Sequence, residues 1–136
     1  MNSIIFIADD DVDDLDFFCD AVEEIDSTIR CITAMNGEEA LKKLNNPLVP
    51  VPDFIFLDLN MPRLDGKKCL REIKKIDRLG NVPVIIYTTS KLDNDVNEMR
   101  KLGAVHFITK PSRLSDLRDV ISFVLAKQWE KIDTRY

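Results

Sequence analysis

The fold of this chain is decided by residues 54–66, which read FIFLDLNMPRLDG. An unbroken apolar run ends on the carboxylate of Asp58, and a loop punctuated by Pro62 and Gly66 follows. A short apolar run between turn signals is typical of a strand that is buried on both faces of a parallel sheet. Asp58 would then lie at the carboxyl end of a central strand, where open α/β sheets bind their ligands. A plainer interpretation also exists, because Asp commonly begins a turn or caps a helix.

The rest of the chain alternates strands with helices. Residues 4–8 and 84–87 are apolar runs like the first one, whereas 28–34 and 104–109 are interrupted by polar residues and suit the edges of a sheet. A helical spacing of apolar residues follows each strand. This alternation predicts an α/β fold: a doubly wound, five-stranded parallel sheet of order 2-1-3-4-5, flavodoxin-like, with five helices on both faces.

Polar residues and glycine mark the expected helix ends. Asn36 and Asp65 are predicted to cap the second and third helices, and Asp11 or Asp13 the first. Gly103 is predicted to end the fourth helix in a left-handed conformation. The inner faces of the third and fourth helices are assigned to Cys69, Leu70, Ile73 and Ile76, and to Leu92, Val96, Met99 and Leu102.

Composition excludes several classes of protein. A chain of 136 residues suits one domain, with residues 1–131 in the domain and 132–136 as a short tail. The net charge of -5 argues against nucleic acid as a direct partner, and no apolar run is long enough to span a membrane. The amino terminus has no signal-peptide pattern. Three cysteines without metal-type spacing indicate buried, reduced thiols and a cytoplasmic protein.

The predicted strand order brings acidic residues together. The carboxyl ends of strands one and three are neighbours, so Asp9, Asp10 and Asp58 meet. Converging carboxylates are relieved by a divalent cation, and all-oxygen ligands favour Mg²⁺, with Mn²⁺ as a second possibility. Thr88 and Lys110 end the neighbouring strands and add a hydroxyl and an ammonium. A carboxylate nucleophile, a cation site, a hydroxyl and a lysine are what phosphoryl transfer requires.

Four motifs, spread over the chain in order, carry a family resemblance. They are IFIADD at 5–10, FLDLNMPxxDG at 56–66, TTS at 88–90 and FITKP at 107–111. With these motifs the chain resembles a receiver domain of the two-component response regulators. It is most similar to the stand-alone type, since the domain fills nearly the whole sequence.

The resemblance implies a phosphoacceptor signalling protein rather than an enzyme. Asp58 would accept a phosphoryl group from a histidine kinase or a histidine phosphotransfer protein. Asp10 and Asp58, with the main-chain carbonyl of Asn60, would bind Mg²⁺ directly, and Asp9 would act through a water. The protein would then signal to a downstream protein target or relay the group onward, as a monomer or a phosphorylation-linked homodimer.

The resemblance also implies how the switch works. Thr88 would move its hydroxyl toward the phosphoryl group while Lys110 pairs with it, and Phe107 would turn inward behind Thr88. The surface formed by helix four, strand five and helix five would report the change. The Lys110–Pro111 bond is a candidate for the cis form, and Asn60 and Ser90 are among the residues that would tune the lifetime of the phosphoryl group.

Three side chains have plainer interpretations. His106 is expected on an edge strand with no role as ligand or catalyst. Trp129, near the end of a long last helix, is expected to close the edge of the core, with a partner anchor as the alternative. Arg100, on the expected output surface, is a solvated charge in the simplest interpretation.

Two other functions compete with the receiver interpretation. A phosphohydrolase of the haloacid dehalogenase type would use Asp9 as its nucleophile, since Asp9-x-Asp11 imitates the motif of that class. That function needs a further acidic pair after a late strand, where this chain has Lys110 and Pro111, and it leaves Asp58 without a task. A flavin carrier of the same topology needs a phosphate-binding loop after strand one, where this chain has aspartates.

Overall fold

The computed structural model describes residues 3–89 and 96–131, which form the doubly wound sheet predicted from the sequence. The parallel strands are β1 (Ile4–Ala8), β2 (Arg30–Ala34), β3 (Phe54–Leu57), β4 (Val84–Thr88) and β5 (Ala104–Thr109). Their order is β2-β1-β3-β4-β5, so the prediction of the fold class and of both edge strands is confirmed.

Helices cover both faces of the sheet. They are α1 (Val12–Ile25), α2 (Gly37–Asn45), α3 (Gly66–Ile73), α4 (Val96–Lys101) and α5 (Leu114–Leu125), with short 3₁₀ helices at Asp77–Leu79 and Gln128–Lys131. Because successive strand residues point to opposite faces, Phe6 and Ile55 pack toward α2, α3 and α4, whereas Ile7 and Phe56 pack toward α1 and α5. No helix in the described ranges has the length and apolar character that crossing a membrane requires.

The predicted helix ends are confirmed where the structure describes them. The side chain of Asp11 accepts hydrogen bonds from the backbone N–H groups of Asp13 and Asp14 at the start of α1. Asn36 and Asp65 cap α2 and α3 in the same manner. Gly103 follows α4 with a φ of 113°, a left-handed value that favours glycine.

Two predicted helices end earlier than expected. Ile76 lies beyond the end of α3 and is only partly buried, so its assignment to that helix is wrong. Trp129 belongs to the final 3₁₀ helix, because Lys127 has a φ of 54° and the chain leaves the α-helical path there. The indole is 9% exposed and packs edge-on against Phe54, which confirms the core position and removes the anchor alternative.

The cysteine prediction holds only in part. All three thiols are free, and Cys69 is fully buried, but Cys19 and Cys31 are only partly covered. The difference arises because β2 is an edge strand, so the layer between it and α1 is less enclosed than the centre of the sheet. Leu92 and Ser90 lie outside the described residues, as does the predicted tail at 132–136.

Candidate functional site

Asp9 and Asp58 are placed side by side by the backbone of the sheet. The N–H of Asp58 donates to the carbonyl oxygen of Ala8 at 3.1 Å, and the N–H of Asp9 donates to that of Ala34 at 3.0 Å. The ladder therefore continues one residue past β1 and β3 and fixes both carboxylates at one edge of the sheet. Asp9 is fully buried and Asp58 is 5% exposed.

Asp10 completes an acidic group that the sequence predicts. One carboxylate oxygen from each of Asp9, Asp10 and Asp58 lies within 4.8 Å of the others, and only Asp10 is exposed. Among the described residues, no group donates a hydrogen bond to the buried Oδ2 of Asp9. A group of three carboxylates that offers only oxygen ligands fits a hard divalent cation such as Mg²⁺ or Mn²⁺.

Lys110 projects its ammonium into the same group. Its Nζ lies 2.6 Å from Asp9 Oδ2, 2.8 Å from Asp14 Oδ2 and 3.1 Å from Asp58 Oδ2, with the lysine side chain only 6% exposed. The contacts to Asp14 and Asp58 have hydrogen-bond geometry, whereas the contact to Asp9 is an ion pair without it. The single ammonium therefore lies within ion-pair distance of three carboxylates.

The charges in this cluster act on each other. Burial raises the pKa of Asp9 to about 6, although Lys110 and the N–H of Asp11 oppose that change. Burial by itself lowers the pKa of Lys110, but the hydrogen bond that its ammonium donates to Asp14, its ion pair with Asp9 and the charge of Asp58 outweigh that effect, so this pKa lies above its ordinary value. Lys110 therefore carries its positive charge at neutral pH.

The loop after β3 is held tightly against the site. Leu59 and Met61 are buried, so the intervening Asn60 is held at the surface beside Asp58, and its N–H donates to Asp58 Oδ1 at 3.3 Å. The N–H of Gly66 donates to the carbonyl oxygen of Leu59 at 3.0 Å and closes the loop. Glycine is required here, since a Cβ on Gly66 would lie 2.7 Å from the Cα of Leu59.

Thr88 and Phe107 lie on the neighbouring strands. Thr88 is fully buried at the end of β4, and its carbonyl oxygen accepts a hydrogen bond from the N–H of Lys110 at 2.9 Å. Phe107 is partly exposed, and the guanidinium of Arg100 on α4 lies 5.0 Å from the centre of its ring.

The Lys110–Pro111 bond is trans, so the cis candidate is wrong; trans is the default state of X–Pro bonds.

Sequence reasoning missed two contacts. Asp14 was one of several acidic residues in the first turn of α1, and nothing in its spacing showed that it meets Lys110. The simplest interpretation of Arg100 from the sequence is a solvated charge, whereas in the structure its guanidinium lies over the ring of Phe107. The sequence does hold a signal for the second contact, because an arginine and an aromatic residue on adjacent elements can form a cation–π pair.

Comparison with known proteins identifies the family. Residues 5–122 match the model of the response regulator receiver domain. The chain is 35% identical over 102 residues to the probable C4-dicarboxylate response regulator DctR of Bacillus subtilis (strain 168), a match that covers 75% of this chain and 43% of DctR. The chain thus spans less than half the length of that relative.

Two solved structures match nearly the full length of the chain. The crystal structure of the phosphorylated cyanobacterial phytochrome response regulator RcpA superposes with a TM-score of 0.83 at 28% identity and covers 98% of both chains. The Mn²⁺-bound form of response regulator Rcp1 superposes with a TM-score of 0.79 at 27% identity and covers 96% of this chain and 97% of that one.

These matches decide between the competing functions. The family match spans the acidic group, the loop after β3 and the ends of β4 and β5. The haloacid dehalogenase alternative finds no support. It assigns no role to Asp58, which lies at the centre of the site. The chain belongs to the response regulator receiver domains and is a phosphoacceptor module of two-component signalling.

Proposed function

We propose that Asp58 is the residue that accepts the phosphoryl group. A carboxylate oxygen of Asp58 attacks the phosphorus of a phosphohistidine on a histidine kinase or a histidine phosphotransfer protein. The new O–P bond forms as the N–P bond breaks, and the imidazole nitrogen keeps the electron pair of that bond. The observation that carries this proposal is the buried Lys110 ammonium, 3.1 Å from Asp58 Oδ2, because it places positive charge beside the oxygen that would carry the group.

We propose that Lys110 and Thr88 act on the phosphoryl oxygens once they are present. Lys110 keeps its charge at neutral pH and pairs with one oxygen, and the Thr88 hydroxyl donates a hydrogen bond to another. Phe107 and Thr88 form the switch, since movement of Thr88 toward Asp58 frees space behind it for the ring. The ring starts partly exposed under Arg100, so an inward turn changes the surface between α4 and β5 that a downstream protein reads.

We propose that the resident cation is Mg²⁺, with Mn²⁺ as a substitute. Asp10, Asp58 and the carbonyl oxygen of Asn60 would hold it directly, and Asp9 would do so through a water. When bound, the cation neutralises charge on the carboxylates and on the phosphoryl oxygens. The acidic group formed by Asp9, Asp10 and Asp58 supports this assignment.

The first prediction is that the chain takes up a single phosphoryl group on Asp58. Incubation with Mg²⁺ and a small acyl phosphate or phosphoramidate donor should add one acid-labile group, detected by intact mass spectrometry and located by peptide mapping. Asp58→Asn should reduce uptake to background, because an amide oxygen is a far weaker nucleophile than a carboxylate. Asp77→Asn, which removes an exposed acid from the 3₁₀ helix after α3, serves as the matched control and should keep wild-type uptake.

Two results would overturn the assignment. Phosphoryl groups on Asp9 that turn over rapidly would favour the phosphohydrolase mechanism. Full uptake by Asp58→Asn would place the acceptor elsewhere in the chain.

The second prediction concerns Asp10. Asp10→Asn should weaken Mg²⁺ binding, measured by calorimetry, by more than about tenfold, because it removes a direct ligand. Unfolding should change little, since Asp10 is exposed. Mg²⁺ affinity equal to that of the wild type would show that Asp10 is not a ligand.

A further inference from the structure

Asp14 has no place in the chemistry described so far, yet it touches the site. It belongs to the first turn of α1, with its side chain 35% exposed, and lies outside the group formed by Asp9, Asp10 and Asp58. Its Oδ2 nevertheless accepts a hydrogen bond from Lys110 Nζ at 2.8 Å, shorter than the 3.1 Å contact to Asp58. An ammonium has three protons, and here it faces three carboxylates.

The neighbouring Asp13 shows what an acid at this turn does without that contact. Asp13 is exposed, and no contact of its carboxylate with Lys110 occurs in the described part of the chain. Both acids share the favourable electrostatics of a helix amino terminus. The contact with Lys110 is therefore what Asp14 adds to the ordinary role of an acidic first turn.

From this contact we infer that Asp14 is a positioning residue that holds Lys110 when a cation or a phosphoryl group occupies the acidic group. The inference rests on the proposed roles of Asp58 and Mg²⁺. A cation among Asp9, Asp10 and Asp58 repels the ammonium that lies against two of them. Asp14 lies outside that group and remains as a carboxylate partner for Lys110, so that the lysine does not have to compete with the cation.

The contact between Asp14 and Lys110 has the opposite effect on the binding of a phosphoryl group, which it weakens. Phosphoryl oxygens need the ammonium, and Asp14 competes with them for it. Asp14 thus favours the cation and disfavours the anion. This combination differs from a structural role, whose loss would weaken the binding of both.

The test is a pair of binding measurements on the full chain. Asp14→Asn is expected to weaken Mg²⁺ binding about tenfold in calorimetry, the effect of one charge-assisted hydrogen bond. At saturating Mg²⁺, it is expected to tighten the binding of beryllofluoride, a mimic of the phosphoryl group, by a similar factor. Asp14→Glu, which keeps the charge, should stay within about threefold of the wild type in both measurements.

Asp13→Asn is the matched control, because it removes the same charge one residue away. It should change either affinity by less than about threefold, as expected for an exposed and screened charge. Equal effects of Asp13→Asn and Asp14→Asn on the two affinities would overturn the inference. So would a loss of affinity for both Mg²⁺ and beryllofluoride in Asp14→Asn. Failure of the wild type to bind Mg²⁺ would instead count against the proposed function.

A measurement without any cation tests the contact itself. In EDTA, the Lys110 ammonium should show slow proton exchange in ¹⁵N NMR of the wild type and of Asp13→Asn, because three carboxylates shield it. Faster exchange is expected in Asp14→Asn. An unchanged signal in that variant would contradict the inference even if its affinities changed.

Discussion

Replacing Lys110 with methionine is expected to lower the free energy of unfolding by about 3 kcal/mol or more in EDTA. The lysine side chain is 6% exposed, and its ammonium is within 3.1 Å of Asp9, Asp14 and Asp58. Methionine keeps most of the apolar stem but leaves two buried carboxylates without their cation. Urea unfolding at pH 8 measures the loss.

A lysine in an exposed pair provides the control. Lys75 Nζ lies 3.2 Å from Glu72 Oε1, but the lysine side chain is 71% exposed. Exposed pairs of this kind contribute about 0.5 kcal/mol or less to the free energy of unfolding. Lys75→Met should therefore unfold almost like the wild type. Adding Mg²⁺ should return part of the stability lost in Lys110→Met, since a cation that binds only the folded state stabilises it by mass action. Equal urea midpoints for the two variants in EDTA would show that Lys110 does not stabilise the acidic group.

The features that the sequence predicts well depend on the identity of the elements and on their order. Unbroken apolar runs identify the central strands. The preference for right-handed crossovers then favours a single strand order. That order alone brings Asp9 next to Asp58, because each is the first residue after a neighbouring strand. The caps at Asn36 and Asp65 are predictable for a similar reason, since a capping bond is local in sequence.

The features that the sequence does not predict depend on rotations and distances between elements. Asp14 and Lys110 are 96 positions apart, and their contact requires a particular rotation of α1 over the sheet. Arg78 is a second example: its guanidinium donates to the carbonyl oxygen of Leu44 in the last turn of α2 and to those of Asn46 and Val49 beyond it. Neither contact produces a periodic or local pattern in the amino-acid sequence. The early end of α5 depends on the backbone of Lys127, a residue with no special preference for positive φ.

Gly66→Ala is expected to lower the free energy of unfolding by about 3 kcal/mol or more. This loss is at the upper end of the range for adding atoms to a well-packed site. The new Cβ would meet the carbonyl oxygen of Asp58 and the Cα of Leu59, which are backbone atoms that cannot rotate away. Gly80→Ala is the mild control: the nearest atom to its Cβ is the carbonyl oxygen of Asp77 at 3.3 Å, and the φ of Gly80 is -53°. That variant should stay within about 1 kcal/mol of the wild type in urea unfolding.

Gly37→Ala separates loss of stability from damage to the site. Its Cβ would meet the backbone of Leu64, at the far end of the loop from Asp58, so it should also destabilise the fold. Relief of the clash in Gly66→Ala must move either α3 or the backbone of Asp58 itself, and hence the phosphoacceptor carboxylate. We therefore expect the folded fraction of Gly66→Ala to lose Mg²⁺ affinity, measured by calorimetry below the unfolding transition, while Gly37→Ala retains most of it. Equal affinities in the two variants would mean that α3 yields first and that Gly66 serves packing rather than the position of Asp58.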